Sequence, residues 1–442
     1  MSLLLIFVIS FLGIILGKFL FKHWFNHLTL YCIIFGGSLF LYELKLLPYM
    51  DLIPNAWFIM LSAFISFLMG ILVIISARNI SRGNATYLKK SVISLKIFSD
   101  DGKTLKYAII IFSIISWYSA IELWMIFIKQ FGSVPAVLLN AQVIYQMNVS
   151  GKITGNTPYL HLLGFVAIFL SGIYTAYKRK FTLLTFIPLL SIILREIAGA
   201  GRAGMLFALA LFVFSFFLFK YLLDYDLYYR FKFSKISALI GAIILILLFL
   251  GASSLVKATR ISEANSKSYS GASQELRQTK GNIIVSPSLY LYVSSDVGVL
   301  SKYLSSNGES TSFGQNTFLT LYTFLAKLGV TKKPNIYQRG YFIPMWSNTG
   351  TYLRELHADF GVTGIFLGPF LLGLLITWLW FKFYEEKSLI VFAFLVNLNI
   401  IVGFSFFVMA TRILYWATSL ALIIIFIPIL ERIAVFVQNQ KS

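Results

Sequence analysis

Charged residues and cysteines are both scarce in this chain. Of 442 residues only 12% are charged, and Cys32 is the single cysteine. A soluble globular domain carries about a quarter charged residues, so the composition does not fit a water-soluble fold. One cysteine cannot form a disulfide within the chain, and it cannot build a cysteine-based metal site. The scarcity of both residue types therefore excludes a soluble enzyme and a disulfide-bonded framework.

Acidic residues are fewer than basic ones. The chain has 17 Asp and Glu against 37 Lys and Arg, a formal net charge of +20. In a soluble protein this excess would indicate nucleic-acid binding. In a membrane protein the excess has to be divided between the two sides of the bilayer first. We therefore expect a lipid bilayer as partner and no nucleic acid.

Long apolar runs are what the sequence has in abundance. Hydrophobic residues make up 58% of the chain, and runs of about 17 to 25 apolar residues can each cross a bilayer core. The predicted spans are residues 2–17, 28–47, 55–77, 107–128, 158–177, 182–197, 203–219, 236–256, 360–381, 388–408 and 413–430. The first run has no basic segment or cleavage site and is interpreted as a retained helix. The sequence predicts an all-α polytopic membrane protein with about 11 transmembrane helices.

The short connections between the spans predict the orientation. Basic residues are concentrated in alternate connections, which the positive-inside rule places in the cytoplasm. These connections are residues 17–27, 78–106, 177–180, 220–235 and 381–387. The other set, which includes 48–55 and 130–157, has few basic residues and is expected outside. We expect a multi-pass membrane protein with the N-terminus outside and the C-terminus in the cytoplasm.

Residues 257–358 are predicted to form one large extracytoplasmic loop before the last three helices, within a single membrane-embedded domain of residues 1–442. The loop is polar at first and then amphipathic in two pieces, around 286–306 and 316–330, which suit helices lying in the interface or packed over the bundle. Aromatic residues alternate with Lys and Arg in this loop. That pattern is typical of a sugar-binding surface and also of an aromatic belt at the membrane surface.

The stretch "LREIAGAGRAGML" (194–206) joins two predicted spans on the outer side. Arg195 lies one turn from the end of the first helix. Arg202 and Gly204 open the second, where exposed N–H groups favour an anion. We therefore predict that both arginines face one anion-binding pocket, because ionisable groups at membrane depth are costly and usually functional. The alternative is that both arginines reach to lipid headgroups and that Glu196 pairs with one of them.

The stretch "LRELHADF" (353–360) closes the large loop. If it is helical, Arg354 and His357 share one face, and Glu355 and Asp359 lie on a neighbouring face. A cation, a base and two carboxylates would then meet at the outer mouth of a transmembrane helix. The alternative is an ordinary juxtamembrane turn, with Asp359 capping the next helix.

A wider stretch around these residues resembles a known family. The run "NTGTYLRELHADFGVTGIFLGPFLLGLL" resembles the region before the late helices of oligosaccharide repeat-unit polymerases of the Wzy type, which make O-antigen and capsule. The matching positions are Asn348, Thr351, Asp359, Phe360, Gly361 and Gly364, together with the arginine stretch at Arg195 and Arg202. The local identity covers about a tenth of the chain. An Arg-x10-Gly spacing discussed for some members occurs at Arg260–Gly271 and Arg339–Gly350.

The resemblance implies glycosyl transfer between two undecaprenyl-pyrophosphate-linked oligosaccharides on the outer leaflet. The candidate pyrophosphate ligands are Arg195, Arg202, Arg260, Arg339 and Arg354, since arginine binds phosphate oxygens bidentately. The candidate bases for the acceptor hydroxyl are His357, Glu355 and Asp359. Fixed cations can stabilise a leaving pyrophosphate, so neither a metal nor another cofactor is expected. A chain-length regulator protein is a possible further partner under the same resemblance.

Two alternatives share much of this pattern. An O-antigen ligase would use the same donor with a different acceptor. A flippase for lipid-linked oligosaccharides would need a charged central cavity, for which Glu122, Asn397, Asn399 and Arg412 are candidates. A cytoplasmic nucleotide-sugar transferase fits poorly, because Asp224 and Asp226 lie in a short basic loop without a donor-binding domain.

Overall fold

The computed structural model describes residues 3–81, 95–149, 157, 159–224, 239, 241, 243–245, 251, 278, 287–306, 313–335, 338–343 and 346–440. Regular structure in these ranges is almost entirely helical. One two-stranded antiparallel hairpin, β1 (Tyr341–Phe342) with β2 (Trp346–Ser347), is the only sheet among them. The all-α fold class is therefore confirmed.

The described helices follow the apolar runs. They are α1 (Leu3–Phe21), α2 (His27–Glu43), α3 (Pro54–Ser81), α4 (Lys103–Phe131), α5 (Val134–Leu139), α6 (Ala141–Val149), α7 (Leu162–Lys178), α8 (Leu183–Ala198), α9 (Ala203–Asp224), α10 (Pro287–Ser294), α11 (Asp296–Ser305), α12 (Leu319–Lys327), α13 (Tyr352–Glu386), α14 (Leu389–Phe404) and α15 (Leu414–Asn439). Short 3-10 turns lie at Lys96–Phe98 and Ala410–Arg412. Each predicted span except 236–256, which lies mostly outside the described residues, corresponds to one of these helices.

Six of the helices are long and apolar enough to cross a membrane, namely α1, α3, α4, α9, α13 and α15. Shorter apolar helices occur at α2, α7 and α14. Large apolar side chains remain exposed along α1, including Leu4 at 70% and Leu12 at 59%. Such a surface would promote aggregation in water and suits contact with lipid. A multi-pass membrane protein is thus supported, while the count of about eleven spans and the orientation stay predictions.

The chain forms two compact units. Unit 1 comprises Met1–Ala85, Ala264–Phe381 and Leu398–Ala417, and unit 2 comprises Thr86–Glu263, Lys382–Asn397 and Thr418–Ser442. The "LRELHADF" stretch belongs to unit 1, and the "LREIAGAGRAGML" stretch belongs to unit 2. The two stretches are therefore described separately.

In unit 1, α3 and α13 approach each other backbone to backbone. A Cβ atom on Gly70 would overlap the carbonyl oxygen of Phe370, and one on Gly373 would overlap the carbonyl oxygen of Phe67. Small residues on both helices permit this distance, as in other membrane helix pairs. One turn further along α13, the Thr377 hydroxyl lies 2.9 Å from Nε2 of the buried His27 on α2. These contacts set the position of α13 in unit 1.

The two amphipathic pieces predicted in residues 257–358 are helices. Helices α10 and α11 pack on α2 and on the connection that follows it, where the Tyr49 hydroxyl lies 2.8 Å from Ser294 Oγ and the Ser301 hydroxyl accepts from the Ile53 N–H at 3.1 Å. Gly298 lies against the ring of Tyr42, where no larger residue fits. Of the two arrangements that the sequence left open, α10 and α11 show packing on other helices. The extracytoplasmic position of the loop is untested.

In unit 2, helix α7 packs against α4, α8 and α9. Gly164 and Gly172 bring its backbone close to Ser116 of α4 and Ser215 of α9. Helix α8 continues through Pro188. Two indoles of α4 donate to its carbonyls, from Trp117 to Ile187 at 3.1 Å and from Trp124 to Leu194 at 2.9 Å. The polar contacts hold the end of α8, which carries Arg195, against α4.

We predict that Gly70→Ala lowers the stability of the protein. The added methyl group would force α3 and α13 apart, and overpacking of this kind costs roughly 1–3 kcal/mol. Gly37→Ala in α2 is the matched control, because a Cβ there meets no atom within 4 Å and alanine is favoured over glycine in a helix by about 1 kcal/mol. Thermal unfolding of the detergent-solubilised protein measures both. An unchanged melting temperature for Gly70→Ala would contradict the close backbone contact.

Candidate functional site

The start of α13 is held by the turn that follows α14. The Gly350 N–H donates to the Phe407 carbonyl at 3.2 Å, and the Tyr352 N–H donates to the Ser405 carbonyl at 3.0 Å. These bonds use N–H groups that a helix start leaves without helical partners. The first turns of α13 are thereby placed in unit 1, with Thr351 to Leu356 all buried. Residues 353–360 are helical, which meets the condition under which Arg354 and His357 would share a face.

Arg354 and Glu355 form a buried charged pair. Their side chains are only 4% and 0% exposed, and Arg354 Nη2 lies 3.6 Å from Glu355 Oε1. Arg354 Nη1 donates to the Arg339 carbonyl at 3.3 Å, and Glu355 accepts from the Gln338 amide. Arg354 Nη2 and Glu355 Oε2 have no hydrogen-bonding partner in the described part of the chain. The ion-pair distance exceeds the 2.7–2.9 Å of a charge-assisted hydrogen bond, so Glu355 does not use up the donors of Arg354.

Asp296, at the first position of α11, is a third charged member of this cluster. It is fully buried, and neither carboxylate oxygen has a partner in good hydrogen-bonding geometry among the described residues. Burial raises the pKa of Asp296 well above its usual range, and the charge of Glu355 raises it further. The Thr349 hydroxyl and the Arg354 charge act in the opposite direction. Asp296, Glu355 and Arg354 are therefore electrostatically coupled.

The sequence did not single out Asp296, although it contains a signal. Asp296 lies on one helical face with Val299, Leu300 and Tyr303, at spacings of three, four and seven residues, and all of these are buried. A carboxylate on the apolar face of an amphipathic helix is costly unless it is paired or functional. The same spacing argument, applied to 290–305, would have pointed to this residue.

His357 lies outside the buried pair. Its Nδ1 is 3.2 Å from the hydroxyl of Tyr303 on α11, and the two rings meet edge to face at 84°. The side chain is half-buried, whereas Glu355 and Asp359 are buried. Of the three candidate bases, His357 is thus the most exposed. Tyr303 fixes the orientation of its ring.

Asp359 binds a neighbouring segment of the chain. Its carboxylate accepts four hydrogen bonds from the backbone N–H groups and side chains of Asn316 and Thr317, at 2.6–3.0 Å. Arg412 donates to Asn316 Oδ1 and, at 3.2 Å, to the Asn335 carbonyl. Two residues after Asp359, Gly361 has a φ of 60° and interrupts the helical geometry of α13. The geometry gives Asp359 an anchoring role between α13 and the segment before α12.

The other predicted arginines of unit 1 differ in position. Arg339 is exposed, its carbonyl accepts from Arg354, and its guanidinium carbon lies 5.7 Å from the ring centre of Tyr341. Arg260 lies outside the described residues. Two exposed aromatic side chains of the hairpin, Phe342 at 65% and Trp346 at 55%, follow Arg339 in the chain. The structure thus brings Arg339 and Arg354 together and leaves aromatic surface beside them.

In unit 2 the hairpin between α8 and α9 is closed by Glu196. Its carboxylate accepts from the Gly204 N–H at 3.2 Å and lies 3.7 Å from Arg195 Nη1. A Cβ on Gly201 or Gly204 would overlap this carboxylate. The absence of a side chain at Gly201 and Gly204 therefore leaves room for the Glu196 carboxylate.

The start of α9 is the position where the sequence predicted an anion, and Glu196 lies there. A carboxylate at a helix N-terminus is stabilised by the exposed N–H groups and the helix dipole. Arg202 immediately precedes α9, and Arg195 lies in the last turn of α8, where it also acts electrostatically on His161. Both predicted arginines thus flank the α8–α9 turn, and an external anion would have to share it with Glu196.

No cluster of three or more His, Cys, Asp or Glu side chains suited to a metal occurs in the described ranges. The groups that the structure does assemble in unit 1 are a buried arginine with an unpartnered donor, two buried carboxylates and a half-buried histidine. Such a set can bind an oxyanion through arginine and exchange a proton through histidine or carboxylate.

We predict that Asp296→Asn raises the melting temperature at neutral pH. A carboxyl group whose pKa is higher in the folded state stabilises the fold only at low pH. The free-energy cost of burying the carboxylate grows as the pH rises from the pKa of the group in the unfolded state, about 3.9, towards its raised pKa in the folded state. Asparagine carries no such cost. The gain of Asp296→Asn over wild type should therefore increase with pH and fade towards acid.

Thermal unfolding of both proteins across the pH range tests this. Asp51→Asn is the matched control, because the Asp51 side chain is 99% exposed and lies 3.2 Å from Lys45. A pH-independent difference between Asp296→Asn and wild type would show that the carboxyl group is not held in an unfavourable buried site.

Comparison with known proteins does not place the chain in a family. No family model matches the chain, and neither the curated proteins nor the solved structures contain a match. The functional argument therefore depends on the residues and their geometry.

Proposed function

We propose that the protein polymerises undecaprenyl-pyrophosphate-linked oligosaccharide repeat units into O-antigen or capsular polysaccharide, on the outer leaflet of a bacterial cytoplasmic membrane. The observation that carries the proposal is Arg354, a buried guanidinium with an unpartnered Nη2 beside two buried carboxylates. Local charge pairs alone would leave no reason to keep such a donor unpartnered, because an unsatisfied buried polar group is costly. A pyrophosphate oxygen is a suitable acceptor for it.

The reaction needs one bond broken and one bond formed. The bond between the anomeric carbon of the donor glycan and the pyrophosphate oxygen breaks, and the pyrophosphate leaves with the bonding electrons. The anomeric carbon forms a new bond to the acceptor hydroxyl oxygen. The arginines offset the negative charge of the leaving group. The proton of the acceptor hydroxyl passes to a base. His357 fits this role because it is half-buried and oriented by Tyr303, and a neutral imidazole accepts protons near neutral pH.

A ligase remains the alternative enzyme, since it uses the same donor and would use the same arginine. The polar groups within the helices support a flippase less than they support an enzyme. Glu122 accepts from both the backbone N–H and the hydroxyl of Thr157, at 2.9 and 2.7 Å, and the Asn397 amide donates to the Ala393 carbonyl at 2.9 Å. These side chains have structural partners, so they give no support to a polar translocation cavity.

Deletion of the gene tests the function, because the three activities leave different surface glycans. A polymerase mutant should carry one repeat unit on the lipid core, whereas a ligase or flippase mutant should carry none. In the complemented deletion strain, Arg354→Lys should strongly reduce long glycan. The planar guanidinium group of arginine can donate to the Arg339 carbonyl and to a phosphate oxygen at the same time, and the ammonium group of lysine lacks this geometry. Arg432→Lys, at an exposed site of α15, is the control. Normal long glycan in Arg354→Lys cells at equal protein level would refute the proposed role.

His357→Ala should reduce the rate of polymerisation in isolated membranes by about a hundred- to ten-thousand-fold, the usual effect of losing a general base. The melting temperature should change little, because His357 is only half-buried. His23→Ala, at another half-buried histidine, is the control and should retain the wild-type rate. Glu355→Gln is measured in the same assay. If both His357→Ala and Glu355→Gln keep near-normal rates, the proton is taken by neither group.

The proposed orientation has its own test. Single cysteines at Lys90 and Glu275, each in a Cys32→Ser background, should differ in labelling by a membrane-impermeant thiol reagent on intact spheroplasts. The basic connection around Lys90 is expected inside and should stay unlabelled, whereas Glu275 should be labelled. Labelling of position 90 without position 275 would reverse the orientation and place the charged cluster on the wrong side for the proposed reaction.

A further inference from the structure

A groove lies between helices α1, α2 and α3 of unit 1. It is partly open to the surroundings. Its walls are almost entirely apolar and include Ile6 and Ile9 of α1, Phe35 and Leu39 of α2, and Phe64 of α3.

The chemistry of the walls selects an apolar occupant. Water gains too few hydrogen bonds in an apolar cavity, which therefore stays dry unless an apolar ligand fills it. An unfilled groove also loses the dispersion contacts of its wall atoms. The neighbouring faces of α1 and α3 carry large exposed apolar side chains such as Phe7 at 56% and Phe58 at 56%. The open side of the groove thus adjoins a surface suited to lipid.

The groove reaches the charged cluster through a pair of tyrosines. The ring of Tyr31 forms part of the wall, and its hydroxyl lies 3.2 Å from the hydroxyl of Tyr352. Tyr352 is the first residue of α13 and precedes Arg354 by two positions. Both tyrosines are buried. A ligand chain in the groove would therefore have one end at the wall that contacts the first residue of α13.

We propose that this groove binds the isoprenoid chain of the lipid-linked substrate, with the pyrophosphate end towards Tyr352 and Arg354. This inference rests on the proposed function of the charged cluster. A single groove accepts a single chain, and the polyprenyl carrier has one chain. A phospholipid would have to leave its second acyl chain outside. The methyl branches of the carrier suit walls built from branched and aromatic side chains.

Photolabelling of the purified full-length protein tests the proposal. The probe is a prenyl pyrophosphate with a diazirine in its chain, and the labelled peptides are identified by mass spectrometry. Label is expected in α1, α2 and α3. Unlabelled prenyl pyrophosphate should compete with the probe, whereas phosphatidylglycerol at the same concentration should not. Equal competition by phosphatidylglycerol would show an ordinary lipid site and would overturn the proposal, as would labelling confined to other helices.

Two variants on one helix separate groove binding from general lipid contact. Leu61→Trp places a larger ring in the groove, which Leu61 lines, and Ile65→Trp makes the same type of change one turn later at a site that is 57% exposed. Leu61→Trp should lower labelling by about tenfold, the effect of excluding roughly two buried methylene groups. Ile65→Trp should leave labelling unchanged.

Ser10→Leu, also in the groove wall, provides a second block if Leu61→Trp lowers the melting temperature. Equal labelling of the two folded groove variants and wild type would overturn the proposal. The outcome is distinguishable from that of the polymerase assignment. Prenyl labelling in the groove together with a deletion strain that lacks single-repeat glycan would leave the groove established and the polymerase role refuted.

Discussion

The backbone contact between α3 and α13 is the constraint on which the candidate site depends. Gly70 and Gly373 allow the two helices to touch at their main chains, and α13 carries Arg354, Glu355 and His357 in its first turns. The start of the helix is held independently, by the Gly350 and Tyr352 N–H groups. Gly361 interrupts α13 between these two supports. The glycine contact therefore positions the part of α13 after Gly361, and the two N–H groups position the first turns, which carry the buried charged groups.

An Arg-Glu pair occurs in each compact unit, at Arg195–Glu196 and at Arg354–Glu355. Adjacent residues on a helix do not face each other, so each pair is close but not tightly bonded, with N–O distances of 3.7 and 3.6 Å. The glutamate lowers the electrostatic cost of burying the arginine while leaving guanidinium donors unused. Charge compensation and ligand binding can then coexist at one residue, which a short bidentate ion pair would prevent.

Features set by one stretch of chain were predictable, and features set by distant contacts were not. Apolar runs long enough to cross a bilayer predicted most of the helices, and the interval between the predicted spans 182–197 and 203–219 contains the α8–α9 turn. The partners of Asp359 lie more than forty residues away, at Asn316 and Thr317, so no local spacing could reveal its anchoring role. Asp296 had a recognisable position on an apolar helix face, but its neighbours Arg354 and Glu355 come from a separate element. For the same reason the sequence alone did not show that Glu196 fills the start of α9.

The glycine contact also determines when the protein can complete its fold. Gly70 and Gly373 are 303 positions apart in the chain. At a synthesis rate of about 5–20 residues per second, α3 waits on the order of 15–60 s before α13 has been made. During this time Gly70 is available to lipid, to the helices already made or to another protein. A chain that is truncated before α13 never forms this backbone contact.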